Sequence, residues 1–186
     1  MRIITGKYKG RHFDIPRTFK ARPTTDFAKE NIFNVLNGYV DYEDTRALDL
    51  FAGTGSITLE LLSRGCPQVV SVELDRDHAR FIGQCIAKIG GPGASHTLIR
   101  GDVFRYVRTF RPQDPNPNRP AFDLIFADPP YQLPTLPTIP DLIFQHGLLA
   151  PDGLLVFEHG AKNDFTDHPR FLEHRVYGSV NFTLFR

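Results

Sequence analysis

The segment Asp128-Pro129-Pro130-Tyr131 has residue types whose combination could do chemistry. Two consecutive prolines fix the backbone φ angles and remove two N–H donors, so the segment offers a carboxylate and carbonyl oxygens as hydrogen-bond acceptors. Acceptors gathered in this way suit an NH2 group, and a tyrosine ring can stack on a planar base. The tetrapeptide therefore predicts a catalytic site in which Asp128 and the Pro129 carbonyl orient an exocyclic amine.

The chemistry expected at such a site is mainly alignment. The amine of a nucleic-acid base is a weak nucleophile because its lone pair is delocalised into the ring, so the site must direct that lone pair at an electrophile. A rigid turn after a strand is the alternative explanation of the tetrapeptide. Its place after an apolar run, Phe122 to Ala127, favours a ligand site, since ligands of open α/β sheets bind beyond the strand ends.

A second group of candidate residues surrounds the glycines at positions 53 and 55. They follow a short apolar run and precede a helical pattern, where glycine lets the backbone approach a ligand closely. Glu73 ends the next apolar run about 20 residues later and could accept hydrogen bonds from the hydroxyls of a ribose. A dinucleotide site would require a third glycine at position 58, where threonine stands, so NAD is disfavoured.

An acid near the glycine turn suits a cofactor that carries an amine. S-adenosylmethionine has such an amine, and Asp49 could hold it. Asp102, at the end of the third apolar run, could accept from an adenine amino group or could cap a helix, and both interpretations stay open. Leu74 and Val103 would cover the two faces of the ring. The residues assigned to the cofactor are Asp49, Phe51, Gly53, Gly55, Glu73, Leu74, Asp102 and Val103.

Short apolar runs alternate with amphipathic stretches from Thr45 onward, which is typical of parallel strands joined by helices. Strands are predicted at 46–51, 68–73, 96–100, 122–127 and 153–158, and helices at 56–64, 76–88, 103–110 and 139–147. Phe171 to Tyr177 and Val180 to Phe185, separated by Gly178-Ser179, predict an antiparallel pair at the sheet edge. The expected fold is an α/β doubly wound, mostly parallel, seven-stranded sheet over residues 41–186.

The first 40 residues are expected to form a small basic hairpin and a helix within the same domain. Strand-like runs at Ile3-Ile4 and His12 to Ile15 flank a turn from Gly6 to Gly10. Thr25 or Asp26 could cap a helix that Gly38 ends. The proline-rich residues 111–120 predict an exposed loop, because so many prolines suit neither a helix nor a central strand.

Charge is distributed unevenly. The net charge is +1, yet residues 1–25 hold seven basic side chains against Asp14 alone, which leaves the rest of the chain at about −5. The basic arm could bind RNA phosphates or could merely be a solvated hairpin that protects a sheet edge. The residues assigned to RNA are Arg2, Lys7, Lys9, Arg11, Arg22, Thr24 and Thr25.

Length and composition narrow the classes of protein to which the chain could belong. The chain of 186 residues is of single-domain size and has no apolar run of membrane-spanning length and no leader pattern, so a cytoplasmic protein without membrane contact is expected. Cys66 and Cys85 are expected to be reduced, and the Cys and His spacing suggests no metal site. The predicted reaction itself requires no metal and no covalent nucleophile.

The order of these motifs resembles the bacterial 16S ribosomal RNA guanine-N2 methyltransferases of the RsmD type, a family of class I S-adenosylmethionine-dependent enzymes. The resemblance covers nearly the whole chain and is most specific in the segment 22–26. The matching segments are Arg2-Ile3-Ile4, Gly6, Lys9-Gly10-Arg11, Arg22-Pro23-Thr24-Thr25-Asp26, Glu30, Phe33-Asn34, the glycine turn and Asp128-Pro129-Pro130-Tyr131. The chain departs from the family at the 111–120 loop and in its short C-terminus.

The resemblance implies roles for the motifs. Asp49, Gly53, Gly55 and Glu73 would hold S-adenosylmethionine, with S-adenosylhomocysteine as the product. Asp128 to Tyr131 would receive the target guanine, Thr24 and Thr25 would approach the reaction centre, and the arm would bind ribosomal RNA within a small subunit or its assembly intermediate. The alternatives are a methyltransferase of DNA adenine N6 or protein glutamine, and a noncatalytic RNA-binding protein.

Overall fold

The computed structural model describes residues 1–19, 24–90, 95–111 and 121–186. Arg22 and residues 112–120 of the predicted proline-rich loop lie outside these ranges. Within them, no helix has both the length and the apolar character needed to cross a bilayer.

One seven-stranded sheet organises the chain, with helices connecting its parallel strands. The strands are β1 (Arg46–Leu50), β2 (Gln68–Glu73), β3 (Ser95–Arg100), β4 (Phe122–Ala127), β5 (Leu149–His159), β6 (Phe171–Tyr177) and β7 (Val180–Phe185). The α-helices are α1 (Asp26–Leu36), α2 (Ser56–Arg64), α3 (Arg76–Ile89), α4 (Val103–Thr109) and α5 (Ile139–Gln145). Short 3-10 helices cover Tyr42–Asp44 and Leu136–Thr138.

The sheet order is β3-β2-β1-β4-β5-β7-β6. The first five strands in the chain pair in parallel, whereas β7 pairs antiparallel with both β5 and β6. The strand order reverses between β1 and β4, so the carboxyl ends of these neighbours flank the crevice where doubly wound folds bind ligands. This topology confirms the predicted fold class, including its antiparallel edge.

Two hydrophobic cores lie on the two faces of the sheet. Ala47 and Leu124 contribute to one core, whereas Leu48 and Ile125 contribute to the other, because successive side chains of a strand point to opposite faces. The first core also contains Ile3, Tyr8 and Phe13 of the N-terminal arm together with apolar side chains of α1, α2 and α3. The arm is thus packed against the sheet domain through a shared core.

Several predicted element bounds differ from the structure. Residues 1–13 form a short hairpin with a single antiparallel bridge between Arg2 and His12, in which the Ile3 N–H donates to the Arg11 carbonyl (3.0 Å), but neither segment extends into a regular strand. Helix α1 ends at Leu36, and Gly38 directly follows its C-cap Asn37, in keeping with the predicted end. Phe51 leaves β1, with φ at 61°, and begins the glycine turn. β5 starts at Leu149, four residues before the predicted start.

Glu60 of α2 connects the arm and α1 to the sheet. Its fully buried carboxylate accepts hydrogen bonds from the backbone N–H groups of Ile4 (2.8 Å) and Thr5 (3.0 Å). It also pairs with Arg64 (3.0 Å) and lies 3.9 Å from the ammonium of Lys29. Burial lowers the pKa of Lys29, and the nearby Glu60 charge opposes that shift. The carboxylate therefore has a complete set of donors and cations.

Lys29 of α1 adds hydrogen bonds that connect α1 to the arm and to α2. Its buried ammonium donates to the Arg2 carbonyl (2.6 Å) and to the Ser56 hydroxyl (3.0 Å) at the start of α2. Near the end of α2, the Ser63 hydroxyl donates to the Thr5 carbonyl (2.6 Å) and accepts from the Tyr8 N–H (2.9 Å). These contacts fix the arm to the helix that follows the glycine turn.

We predict that Glu60→Gln lowers the free energy of unfolding by about 3–5 kcal/mol, the usual effect of removing one partner of a buried ion pair. The amide would place an NH2 group against a backbone N–H donor and would leave Lys29 without its counter-charge. Urea unfolding measures the change, with Glu30→Gln on the exposed face of α1 as the control. Equal stability of the two variants would contradict the anchoring role of Glu60.

Candidate functional site

Acidic side chains collect at the carboxyl ends of four neighbouring parallel strands. Asp49 belongs to β1, Glu73 ends β2, Asp128 follows β4, and Glu158 lies near the end of β5. Among the described residues, no lysine or arginine forms an ion pair with any of the four, and the only basic partner is His78, 3.9 Å from Glu73. In the part of the chain that the structure describes, this edge of the sheet therefore concentrates acids to which no lysine or arginine is paired.

The glycine turn between β1 and α2 is held in a special backbone conformation. Gly53 and Gly55 have φ angles of 54° and 77°, in the left-handed region. A Cβ atom at Gly55 would lie 2.9 Å from Ile82 of α3, so only glycine fits there. A Cβ atom at Gly53 would meet nothing nearer than 3.8 Å. The space over Gly53 is open to a ligand, whereas Gly55 is required by helix packing.

Glu73 holds this turn in place. One carboxylate oxygen accepts from the Gly53 N–H (2.7 Å) and the other from the Asp75 N–H (2.7 Å). Each oxygen retains a further lone pair, so the side chain can still accept from ribose hydroxyls. The predicted ribose contact thus remains compatible with a second role of Glu73, which is to fix the turn.

The Asp49 carboxylate makes hydrogen bonds within the protein that the sequence analysis did not predict. Its buried carboxylate accepts from both the N–H (3.0 Å) and the hydroxyl (2.6 Å) of Thr58. Burial raises the pKa of Asp49 to about 7, while the hydrogen bonds from Thr58 oppose the rise. Thr58 stands where a dinucleotide-binding motif would have its third glycine. Its hydroxyl orients the Asp49 carboxylate. A contact of Asp49 with a cofactor amine remains a prediction.

The residues predicted to surround an adenine ring differ in exposure. Leu74 is 66% exposed, which is unusual for an apolar side chain that follows a buried strand, whereas Val103 is 4% exposed. The Asp102 carboxylate accepts from the Arg105 N–H (2.8 Å) and caps α4. The capping interpretation of Asp102 is therefore confirmed, and its second oxygen remains able to accept. Leu74 offers an uncovered apolar surface next to Glu73.

A second cluster lies beside the Asp128 loop. The buried carboxylate of Glu158 accepts from the Tyr131 hydroxyl (2.7 Å) and from the Thr24 hydroxyl (3.2 Å). Glu158 also shares a hydrogen bond with Asp128. One carboxylate thus brings together β5, the loop after β4 and the segment that precedes α1.

Burial is the main reason that the pKa values of the acids in this cluster are raised. It raises the pKa of Asp128 well above its usual value, and the nearby charges of Glu158 and Asp49 raise it further. Burial also raises the pKa of Glu158, whereas hydrogen bonds from Tyr131 and Thr24 oppose that rise. The pKa of the Tyr131 phenol is raised by burial and by Glu158.

Sequence reasoning missed Glu158. The available signal was a single acid at the end of an apolar run, Leu154 to Phe157, that neighbours β4 in the sheet. The structure brings Thr24 to this cluster, as the resemblance implied for that residue. Thr25 instead caps α1 by accepting from the Ala28 N–H (3.2 Å).

The basic residues of the arm remain at the surface. Lys7, Lys9 and Arg11 are exposed, and the cationic groups of Lys7 and Arg11 lie 5.5 and 5.7 Å from the Tyr8 ring. Arg11 also donates to the Lys88 carbonyl (2.8 Å), and Arg2 pairs with Asp26 (3.3 Å). The arm therefore presents its charge from a fixed backbone. Over the parts of the chain that the structure describes, no cluster of histidine, cysteine and acidic side chains could hold a metal ion.

Comparison with known proteins places this geometry in a family. The family model described as "Conserved hypothetical protein 95" matches residues 1–186. The chain belongs to this family. The Escherichia coli K12 protein named "Ribosomal RNA small subunit methyltransferase D" is 30% identical over 189 residues, which cover 100% of this chain and 89% of the relative.

Further relatives support the same family assignment. A Haemophilus influenzae protein with the same printed name is 28% identical, over 100% of this chain and 93% of its own length. The solved structure of a hypothetical protein from Thermus thermophilus matches with a TM-score of 0.82 and 27% identity, covering 100% of this chain and 99% of that one. Family and fold therefore agree over the full length.

We predict that Asp128→Asn is more thermostable than the unmodified protein at pH 7–8. The folded pKa of Asp128 is raised above the unfolded value of about 4, so stability falls as pH rises through the window between the two values. Asparagine does not titrate and avoids this loss. Scanning calorimetry at several pH values should show the difference shrinking toward pH 4. A lower melting temperature of the variant at every pH would contradict the raised pKa.

Proposed function

We propose that this protein transfers a methyl group from S-adenosylmethionine to the exocyclic N2 amino group of a guanine in small-subunit (16S) ribosomal RNA. The observation on which the proposal depends is the acceptor site at the ends of β4 and β5, where Asp128 and Glu158 lie together and no described lysine or arginine pairs with either. Such a site suits a ligand that supplies N–H donors and a positive charge. The relatives named as ribosomal RNA small subunit methyltransferases support the same reaction class.

The residues around the glycine turn fit S-adenosylmethionine. The open space over Gly53, the exposed Leu74 side chain and the acids Asp49 and Glu73 provide room for the backbone approach, an apolar surface and acceptors. When bound, S-adenosylmethionine supplies an electrophilic methyl group on a positively charged sulfonium. The acids favour this charge, whereas they would repel the phosphates of a dinucleotide.

The loop after β4 is suited to hold the base. Asp128 and the Pro129 carbonyl would accept the two hydrogens of the amine and so direct its lone pair out of the ring plane. Tyr131 is 40% exposed although its hydroxyl is bound to Glu158, which leaves ring surface available for stacking. Base stacking on an aromatic side chain contributes about 1–3 kcal/mol. These residues act by position, and the amine loses its extra proton after the methyl group arrives.

The arm would contribute RNA binding. A base that is paired or stacked must be extruded to reach the Asp128 loop, which costs a few kcal/mol that backbone contacts can offset. Lys7, Lys9 and Arg11 are exposed on the arm and are our candidates for phosphate contacts, since the rest of the chain has a net negative charge.

The reaction is tested by transfer of radiolabelled methyl groups to small ribosomal subunits from a strain that lacks this protein. We expect the label in N2-methylguanosine after nucleoside digestion. Label in another nucleoside would contradict the guanine assignment. Label only on DNA or on a protein glutamine would contradict the RNA substrate. No label on any of these substrates would contradict methyl transfer itself.

Asp128→Ala should reduce transfer below detection while S-adenosylmethionine binding stays within about threefold, because alanine removes the acceptor and leaves the glycine turn intact. Asp167→Ala, a change at an exposed aspartate of the loop before β6, is the matched control and should transfer normally. Normal turnover by Asp128→Ala would contradict its assigned role.

For the arm, we predict that the double variant Lys7→Gln, Lys9→Gln binds the RNA substrate more weakly and with a smaller salt dependence. Each lost phosphate contact should reduce the slope of log K against log salt by about 0.7–0.9. Binding titrations at several salt concentrations measure this slope. Arg186→Gln is the control, since Arg186 follows β7, which runs antiparallel to β5 and so ends away from the carboxyl end of β5. An unchanged slope in the double variant would contradict phosphate binding by the arm.

A further inference from the structure

Asp128 and Glu158 form a pair of carboxyl groups in contact. Glu158 is 4% exposed, and the two side chains share a hydrogen bond. Two carboxyl groups that share a hydrogen bond ionise together only at raised pH, because each charge disfavours the other. Among the described residues no ammonium or guanidinium group pairs with either of them. The pair therefore holds its last proton to a higher pH than either carboxyl group would alone.

The neighbours of the pair decide which carboxyl group holds the proton. The hydroxyls of Tyr131 and Thr24 both donate to Glu158, at 2.7 and 3.2 Å, and these donors stabilise its ionised form. Asp128 is half-buried, and the charges of Glu158 and Asp49, both of the same sign, disfavour its ionised form. Thr24 offers Asp128 some compensation, but Glu158 has the stronger set of donors.

We propose that Glu158 is a positioning residue that keeps Asp128 protonated, so that Asp128 meets the amine as a neutral acid. The Asp128 O–H donates to the Glu158 carboxylate, and the carbonyl oxygen of Asp128 accepts from the amine. This inference rests on the function proposed above, since it concerns how the same loop receives its base. It assigns the negative charge of the pair to Glu158.

A neutral Asp128 has a definite chemical consequence. An ionised carboxylate in contact with the amine would accept strongly, but it could rotate between its two equivalent oxygens. With its O–H fixed on Glu158, Asp128 has one free oxygen in one orientation. The negative charge remains on Glu158, one hydrogen bond away from the amine, where it favours a cationic methyl donor.

Glu158 also orients the aromatic ring of the site. Its bond to the Tyr131 hydroxyl fixes one end of the ring, and Gly160 lies against the ring, since a Cβ atom there would be 3.4 Å from Tyr131 Cδ2. His159, the residue between them, points to the other side of the strand and shares a hydrogen bond with the Thr183 hydroxyl (2.8 Å). Among the described residues, the polar and titratable groups that interact with the pair are therefore Asp49, Thr24 and Tyr131.

The protonation state can be measured without turnover. Carbon-13 NMR of the carboxyl groups, in full-length protein without substrate, should show a protonated aspartic acid at pH 7 that is absent from Asp128→Asn. This comparison separates it from Asp49, whose pKa is also raised, to about 7. Glu158→Gln should lower the pH at which the Asp128 signal titrates, because loss of the neighbouring charge lets Asp128 ionise at lower pH. A fully ionised pair at pH 7 in the unmodified protein would overturn the inference.

Measurements of kcat provide a second test that distinguishes the roles of Asp128 and Glu158. Asparagine resembles a protonated aspartic acid, since its carbonyl can accept from the amine while its NH2 donates to Glu158. Asp128→Asn should therefore retain more of kcat than Asp128→Ala and more than Glu158→Gln. Glu158→Gln should lower kcat by about 10–100-fold, as expected for loss of a residue that orients an active-site group. The KM for S-adenosylmethionine should change little.

The pH profile provides the remaining comparison. Single-turnover transfer by the unmodified protein should fall as pH rises through the raised pKa of Asp128, where the neutral acid is lost. In Glu158→Gln this limb should move to lower pH, toward the ordinary aspartate range of about pH 4. The inference would be overturned by equal loss of kcat in Asp128→Asn and Asp128→Ala, or by an unmoved pH limb in Glu158→Gln.

Melting curves and S-adenosylmethionine affinity for each variant report folding. A collapse of both in Glu158→Gln would assign Glu158 a purely structural role and would also overturn the inference. If the unmodified protein transferred no methyl group, the proposed function would fail, whereas the NMR result would still decide the proton assignment.

Discussion

The buried carboxylate of Glu60 is the contact on which the arrangement of the molecule depends. It lies on α2, the helix that begins at the glycine turn, and it accepts from the arm backbone while it faces Lys29 of α1. A buried charge costs several kcal/mol unless it is paired, so this position tolerates few alternative packings. The arm, α1 and the glycine turn are thereby held in one fixed relation, and a basic RNA-binding surface would have a fixed orientation toward the site.

The scaffold was predictable from sequence because its signals are local. Apolar runs bounded by glycine, proline or charged residues gave β2, β4, β6 and β7 at the observed bounds. Glycine spacing located the turn, since only glycine tolerates the φ angle and the close approach to Ile82 at position 55. The N-terminal hairpin was predicted, but its two segments pair too briefly to form regular strands, and contacts with the distant helix α2 also hold it in place. Sequence windows of a few residues contain no information about those contacts.

The acid cluster was only half predictable, for a physical reason. Asp128 lies in a segment whose two prolines make it recognisable from sequence. Glu158 is a single acid in an apolar strand, and its hydrogen-bond partners lie more than 20 residues away in the chain. Asp49 was identified, but its bonds to Thr58 depend on the first turn of α2. Residue type therefore indicated which groups could accept hydrogen bonds, and only the fold determined which donors they already had.

Glu60 and Glu158 show how two buried acids of one chain can serve opposite purposes. Both are less than 5% exposed and both accept several hydrogen bonds. Glu60 has Lys29 and Arg64 as partners, so its charge is neutralised within the fold. Among the described residues, the partners of Glu158 are hydroxyls and another acid, and burial raises its pKa. A buried carboxylate without a paired cation lowers stability, so the arrangement of Glu158 is not the one that folding alone favours. In the function proposed above, the positive charge would arrive with the ligand.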